Sequence, residues 1–184
     1  NILPIIDESL VSDNPSSTVK EELKDVYSPN NYIEIEYDEI NVKKTRFIDA
    51  ISDCISNKMR SDISVLIMGQ DIGEYGGVFK ITEGFIEKFG KDRVRNTPII
   101  ESGIIGTAMG LAIEGFKPIV EMQFADFVSV GFNQIVNNLA KTYYRWNQPI
   151  NVTLRLPTGG CIGAGPFHSQ SNESWFFHVP GLKL

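Results

Sequence analysis

The sequence predicts an α/β fold in which helices cover both faces of a mostly parallel sheet. One observation is the continuous apolar run SVLIMG at 64–69, which is typical of a strand buried on both sides. Another is the alternation of short apolar runs with segments of helical periodicity along the chain. Such βαβ units have right-handed crossovers, and ligands bind beyond the carboxyl ends of their strands.

The first part of the chain differs in composition from the rest. Residues 1–43 are rich in Ser, Asn, Asp, Glu and Pro and include the turn signal SPNN. They predict a linker or extension that is partly extended. Within it, the alternating segment YIEIEYDEINV at 32–42 predicts an exposed strand. The compact domain is predicted to cover 44–184.

The elements of this domain follow from apolar spacing. The first is a helix, with apolar residues at Phe47, Ile48, Ile51, Ile55 and Met59. After the strand at 64–69, helices are predicted at about 79–89, 102–115 and 126–145. Strands are predicted at 93–97, 117–123 and 150–156. Glu101, Gln123 and the loop GQDIGEYGG then lie at the carboxyl ends of strands.

Composition argues against several classes of function. The 184 residues are 42% hydrophobic and 22% charged, as in an ordinary globular protein. The net charge of −6 argues against general affinity for nucleic acid or an anionic membrane. No apolar stretch approaches the ~20 residues that span a bilayer. Cys54 and Cys161 form no CxxC or Cys/His cluster, so the expected compartment is a reducing cytoplasm.

Two residues are candidates for chemistry, and the pattern leaves their roles open. Glu101 either complements the dipole of the helix that it begins or acts as an acid–base group in a cleft. His168 follows the flexible stretch GGCIGAGPF and is either a surface residue or a catalyst. The loop MGQDIGEYGG lacks both GxGxxG and a GK[ST] ending, which favours a simple turn over a nucleotide site.

Three stretches carry a resemblance to a known family: ESGIIGTAMGLAIEGFKPIVEMQFADF, QIVNNLAKTYYRW and FHSQSNESWFFHVPGLKL. From about Lys44 to Leu184 the chain resembles the beta subunit of the thiamine-dependent dehydrogenase component of 2-oxo acid dehydrogenase complexes. The resemblance implies the three-layer thiamine-diphosphate-binding fold and covers only the pyrimidine-binding, transketolase-like first domain. The family's carboxy-terminal domain would follow Leu184, and residues 1–43 look like the joining region of alpha–beta fused proteins.

The resemblance also implies roles for single residues. Glu101 matches the glutamate that hydrogen-bonds a pyrimidine nitrogen and activates the cofactor. Phe127 matches an aromatic position that stacks on the pyrimidine, Gln123 would line the same pocket, and Ile99 would offer its backbone. His168 matches a loop histidine that helps acyl transfer to a lipoyl group.

Further cofactors and partners are implied in the same way. Thiamine diphosphate would be held with Mg²⁺ by an alpha half, because the family's GDG motif does not occur in this sequence. The backbone at Val152 and Thr153 matches part of a potassium site. A second beta copy and a lipoyl-bearing acyltransferase are the other expected partners.

The resemblance implies the beta portion of a branched-chain 2-oxo acid or pyruvate dehydrogenase, which decarboxylates its substrate and passes the acyl group to a lipoyl domain. This chain alone is expected to be inactive. The alternatives are a transketolase-like or deoxyxylulose-phosphate synthase-type enzyme, and a catalytically silent assembly module. The helix at 126–145 carries an apolar stripe that either packs on the sheet or joins subunits, and Gly106 and Gly110 would let a helix approach closely.

Overall fold

A computed structural model of the chain describes residues 3–13, 16–29, 33, 36 and 42–184. The strand predicted at 32–42 lies almost entirely outside these residues. N-terminal to that segment, the extension forms two short helices, α1 (Leu3–Val11) and α2 (Val19–Lys24), neither of which has a buried residue. A capping box begins α2, because Thr18 and the side chain of Glu21 bond each other's backbone N–H.

The sheet in the described part of the chain has four parallel strands in the order β2–β1–β3–β4. They are β1 (Val65–Gly69), β2 (Val94–Asn96), β3 (Lys117–Glu121) and β4 (Thr153–Arg155). The register pairs Gly69 with both Asn96 and Glu121, and Glu121 with Arg155. The four strands therefore end in one row. We call this row, with the residues that directly follow or face it, the strand edge.

Helices cover both faces of the sheet, which confirms the predicted α/β fold. They include α3 (Phe47–Ser61), α4 (Phe85–Phe89) and α5 (Glu101–Ile113). Side chains of β1 alternate in direction: Val65 and Ile67 pack with α3 and α4 in one core, whereas Leu66 and Met68 pack with α5 in another. None of the helices in the described residues is long and apolar enough to cross a membrane.

The helix predicted at 79–89 is half as long in the structure. Only α4 forms, and residues 70–84 are turns, apart from short irregular stretches. Gly76, Gly77 and Gly84 have positive φ angles of 80°, 78° and 74°, and Lys80 has a φ of 59°. Left-handed residues interrupt a right-handed helix, so the helix can begin only after Gly84.

The helix predicted at 126–145 is not continuous. A 3₁₀ turn (Ala125–Phe127) leads into α6 (Val128–Asn133), a π-helical segment (Gln134–Leu139) and α7 (Thr142–Trp146). The N–H of Ala140 donates to the carbonyl of Ile135, five residues back, at 2.9 Å. In an α-helix, the residue buried one turn after Ile135 would be Leu139. The extra residue in the π-helical turn shifts this position by one, so Ala140 is buried instead.

Close helix packing occurs at a different glycine from the predicted ones. A Cβ on Gly131 of α6 would lie 2.4 Å from Cδ1 of Ile105 in α5, so a larger residue there would require the buried Ile105 side chain to move. Ser102 strengthens this contact, because its hydroxyl donates to the carbonyl of Val130 at 2.6 Å. A Cβ on Gly106 would meet only the end of Gln134, and one on Gly110 would meet nothing within 4 Å.

Candidate functional site at the strand edge

Glu101 is a buried carboxylate at the strand edge. It is the first residue of α5, and its side chain is 6% exposed. Nε2 of Gln70, the residue after β1, donates to Oε1 of Glu101 at 3.1 Å, and Gln70 is itself 7% exposed. Burying a carboxylate is costly unless it gains partners, and within the described residues this amide is its one side-chain hydrogen-bond donor. The carboxylate is therefore held through one oxygen.

A second amide–carboxylate pair lies beside the first. Nε2 of Gln123 donates to Oδ2 of Asp71 at 2.8 Å. Asp71 has a φ of 55°, a left-handed conformation in which a short polar side chain is tolerated better than most. At this turn, Gln70 bonds Glu101 at the start of α5, whereas the next residue, Asp71, bonds Gln123 after β3. The structure thus links Glu101 and Gln123, two of the predicted site residues, through the end of β1.

Phe127 and His168 meet in an aromatic cluster near the strand edge. The imidazole of His168 stacks on Phe124, with ring centroids 4.9 Å apart and an interplanar angle of 28°. Phe127 and Phe167 approach the imidazole edge-on, with centroids at 5.4 and 5.1 Å. Phe79, from the loop after β1, packs edge-on against Phe124 at 5.9 Å. Ring contacts therefore define where the imidazole lies.

The segment that carries His168 is tied to the strand edge behind the histidine. The N–H of Gln170 donates to Oδ1 of the buried Asp126 at 3.2 Å. Nδ2 of Asn172 donates to the carbonyl of Ala125 at 3.2 Å. By contrast, Nδ1 of His168 and Oγ of Ser169 are buried without a hydrogen-bond partner in the described residues. The anchor fixes the base of the loop and leaves polar atoms at its tip unsatisfied.

A buried ion pair closes the other side of the strand edge. Oε2 of Glu121 lies 2.9 Å from Nη1 of Arg155, and the two side chains are 4% and 17% exposed. At this distance the two opposite charges form an ion pair inside the protein. Burial raises the pKa of the Glu121 carboxyl, and the charge of Arg155 opposes the rise.

The other predicted site residues lie apart from these groups. Ile99 precedes α5 and its side chain is 83% exposed. Thr153 begins β4, directly after Val152, and both residues line a groove of about 630 Å³ with Tyr27 and the end of the chain. In the residues that the structure describes, no three His, Cys, Asp or Glu side chains are placed to hold a metal ion.

Sequence reasoning missed several residues of this site. It selected the loop after β1 but not Gln70 as the partner of Glu101, although a polar residue directly after an apolar strand is a usable signal. It selected Phe127 as a residue that stacks on the pyrimidine, and it did not find Phe124, whose ring lies closest to that of His168. It did not find the pair of Glu121 and Arg155, because the two residues are adjacent only through the parallel pairing of β3 and β4.

The chain is similar in sequence to known proteins. Residues 43–184 match the family model described as transketolase, pyrimidine binding domain. The chain is 46% identical over 142 residues to the 2-oxoisovalerate dehydrogenase subunit beta of Bacillus subtilis (strain 168), covering 75% of this chain and 43% of that protein. It is 42% identical over 148 residues to the pyruvate dehydrogenase E1 component subunit beta of Leifsonia xyli subsp. xyli (strain CTCB07), covering 79% and 44%.

The chain therefore spans less than half the length of these two curated relatives. A solved structure described as a split gene transketolase, inactive beta4 tetramer, has a TM-score of 0.45 and 20% identity. It covers 60% of this chain and 33% of that chain. This similarity is too low to support a conclusion about function.

Proposed function

The chain belongs to the transketolase pyrimidine-binding domain family, and on that premise we propose that it binds the aminopyrimidine end of thiamine diphosphate in a 2-oxo acid dehydrogenase. The observation that carries the proposal is Glu101, a buried carboxylate at the carboxyl end of a parallel sheet. Ligands of α/β proteins bind at this edge, and perturbed or buried carboxylates there are candidates for acid–base work.

The residues at the strand edge fit an aminopyrimidine. Gln70 occupies Oε1 of Glu101, which leaves the second oxygen for a ring nitrogen. Phe127 is half-buried and offers aromatic surface for a flat ring, and the exposed Ile99 lies two residues before the glutamate. Gln123 lies on the same edge, next to Phe124. Stacking and a carboxylate hydrogen bond are the contacts that such a ring needs.

Each residue has a defined task in this proposal. When bound, thiamine diphosphate supplies a carbon nucleophile for the keto group of the substrate and accepts the electron pair that decarboxylation releases. Glu101 exchanges a proton with the ring nitrogen, for which a desolvated carboxyl is suited. The aromatic cluster excludes water around the reacting region, and His168 moves a proton during acyl transfer to a lipoyl group.

The diphosphate and Mg²⁺ are assigned to an alpha half. No GDG motif occurs in the sequence, and the net charge of −6 offers no attraction for an anion. We also propose contacts with a second beta copy and with a lipoyl-bearing acyltransferase, and a cytoplasmic location. A potassium ion at the backbone of Val152 and Thr153 stays a prediction, as does the division into an extension at 1–43 and a domain at 44–184.

The substrate is proposed to be a branched-chain 2-oxo acid or pyruvate, since the two curated relatives carry those two names. A silent assembly module is the alternative from a different class. The buried Glu101 and the unsatisfied polar atoms at His168 and Ser169 favour an active site, because a module without a ligand gains nothing from them.

Reconstitution tests the proposal. The protein is titrated with thiamine diphosphate and Mg²⁺ by calorimetry, alone and after mixing with a purified alpha subunit of a related dehydrogenase. Alone, one stacking contact and a few hydrogen bonds do not offset the ~4–15 kcal/mol cost of immobilising a ligand, so binding should be weaker than millimolar. With the alpha subunit, micromolar binding and decarboxylation of a 2-oxo acid are expected. Tight binding by the chain alone, or an inactive complex that contains the bound cofactor, contradicts the proposal.

A further inference from the structure

Gln70 lies at the strand edge beside Glu101, and the proposed function requires of it only that one carboxylate oxygen stay free. Its side chain is 7% exposed and donates to Oε1 of Glu101 at 3.1 Å. Both groups are almost fully withdrawn from water, so the hydrogen bond between them offsets part of the cost of burying them. The contact joins the end of β1 to the first residue of α5, which are 31 positions apart in the sequence.

The backbone around Gln70 limits where its amide can point. The carbonyl of Gly69 accepts from the N–H of Thr97 at 2.9 Å, which ties the end of β1 to the chain that leads into α5. On the other side, the side chain of Asp71 is tied to Gln123 at 2.8 Å. A Cβ on Gly69 would lie 2.3 Å from the carbonyl oxygen of Glu121, so the strand end also packs tightly against β3. The backbone that carries the Gln70 side chain is therefore held on both sides.

The chemistry of an amide matters at this position. An amide N–H₂ can donate to a carboxylate without bringing a charge of its own. A second carboxyl group in its place would have to share a proton with Glu101, because two buried carboxylates this close cannot both ionise. An apolar side chain would leave Glu101 without its donor. Only the amide fixes one oxygen of Glu101 and leaves its proton exchange independent.

We propose that Gln70 is a positioning residue, whose amide holds Oε1 of Glu101 so that the other carboxylate oxygen faces the bound pyrimidine. This positioning role rests on the proposed function of Glu101. The hydrogen bond that couples the two side chains, which we call the coupling, does not rest on it. Each can therefore fail separately. The coupling predicts a change in stability that needs no cofactor, and the positioning role predicts a change in catalysis.

The coupling is tested by thermal unfolding of the full chain at pH 5 and pH 8. Gln70→Glu places two carboxyl groups together, so the folded state holds a shared proton that the unfolded chain releases near pH 4.3. A folded pKa above the unfolded value gives stability that is present at low pH and lost as pH rises. The Tm of this variant should fall relative to the unsubstituted protein by roughly 5 °C more at pH 8 than at pH 5.

Two controls isolate the pair. Gln148→Glu makes the same exchange at a side chain whose one hydrogen bond among the described residues goes to the neighbouring Pro149 carbonyl, and its Tm difference should not depend on pH. The double variant Gln70→Glu with Glu101→Gln exchanges the amide and the carboxyl, which removes the second acid and should remove the pH dependence. A pH-independent Tm loss in Gln70→Glu, or an unchanged loss in the double variant, overturns the coupling.

The positioning role is tested in the complex with an alpha subunit. Gln70→Leu cannot donate, and we expect kcat for decarboxylation to fall on the order of 10²-fold with little change in KM. Gln70→Glu should regain much of its kcat at low pH, where its protonated carboxyl can donate as the amide does, and lose it as pH rises. Near-normal kcat in Gln70→Leu, or equal pH profiles for Gln70→Glu and the unsubstituted enzyme, overturns the role. If Glu101→Gln is fully active while the Tm coupling holds, only the proposed function has failed.

Discussion

The strand edge and the His168 loop (residues 157–170) hold their functional candidates by different means. At the strand edge, Glu101 and Gln123 are fixed by hydrogen bonds to side chains that follow β1. In the loop, His168 is placed by three aromatic rings, and its Nδ1 has no hydrogen-bond partner in the described residues. Directed polar bonds define one geometry, whereas ring contacts permit sliding and tilting.

This difference agrees with the roles proposed for the two regions. Cofactor activation requires one fixed distance between a carboxylate and a ring nitrogen, and rigid strand ends provide it. Acyl transfer requires that a second substrate enter and leave, which a loop anchored only at its base allows. The segment from Gly159 to Gly165 is loosely packed, since a Cβ on Gly159, Gly163 or Gly165 would meet nothing within 4 Å.

The largest expected effect separates the two regions by reaction. Glu101→Gln in the reconstituted enzyme should lower decarboxylation by about 10³-fold or more, because an amide cannot exchange the proton. Acyl transfer should fall equally, since it depends on the earlier step. The assay is 2-oxo acid turnover with an artificial electron acceptor, and circular dichroism checks the fold. Turnover near that of the unsubstituted enzyme would remove Glu101 from the mechanism.

The next prediction tests whether the buried ion pair of Glu121 and Arg155 stabilises the folded protein at the strand edge. Arg155→Met leaves the Glu121 carboxylate buried without its counter-charge, which should cost about 3 kcal/mol in the free energy of unfolding at pH 8. The pKa of Glu121 is already raised by burial and rises further without Arg155. A raised folded pKa means stability that is lost as pH rises, so the cost should be smaller at pH 5.

Urea unfolding at pH 5 and pH 8 measures this cost. The matched control is Lys117→Met, which breaks the pair with Asp62 at 2.6 Å, whose side chains are 47% and 30% exposed. A solvent-exposed pair contributes ~0–1 kcal/mol, so this variant should lose little stability. Equal losses of unfolding free energy in Arg155→Met and Lys117→Met would mean that the buried pair contributes no more to stability than the exposed pair does.

A smaller and more selective effect is expected in the loop. His168→Ala should lower acylation of a lipoyl domain on the order of 10²-fold, since a positioned general acid or base contributes about that much. Decarboxylation with an artificial acceptor should change far less, because Glu101 and its partner lie outside the loop. The ratio of the two rates is the measurement. An equal loss in both would show that His168 acts before acyl transfer.

The sequence predicted the strand edge better than the loop, and the reasons are physical. Buried parallel strands are continuous apolar runs, so β1 and the position of Glu101 after the strand end could be read directly. The π-helical segment at Gln134–Leu139 could not, because Leu139 and Ala140 are both apolar and the sequence does not show which of them is buried after Ile135. Neither could the ring cluster around His168, because Phe124 and Phe127 each lie more than 40 positions before the histidine in the sequence.

The smallest expected effect concerns the ring that lies closest to His168. Phe124→Leu keeps an apolar side chain but removes the stacked pair, which is worth ~0.5–1.5 kcal/mol beyond its buried area. His168 should then populate more orientations, and acylation of the lipoyl domain should fall by roughly 2- to 10-fold, with a smaller change in decarboxylation. Phe132→Leu is the matched control, because Phe132 packs on Phe176 at 5.5 Å and does not contact His168. If the two variants acylate equally well, ring stacking does not place the histidine, and the contrast with the hydrogen-bonded strand edge fails.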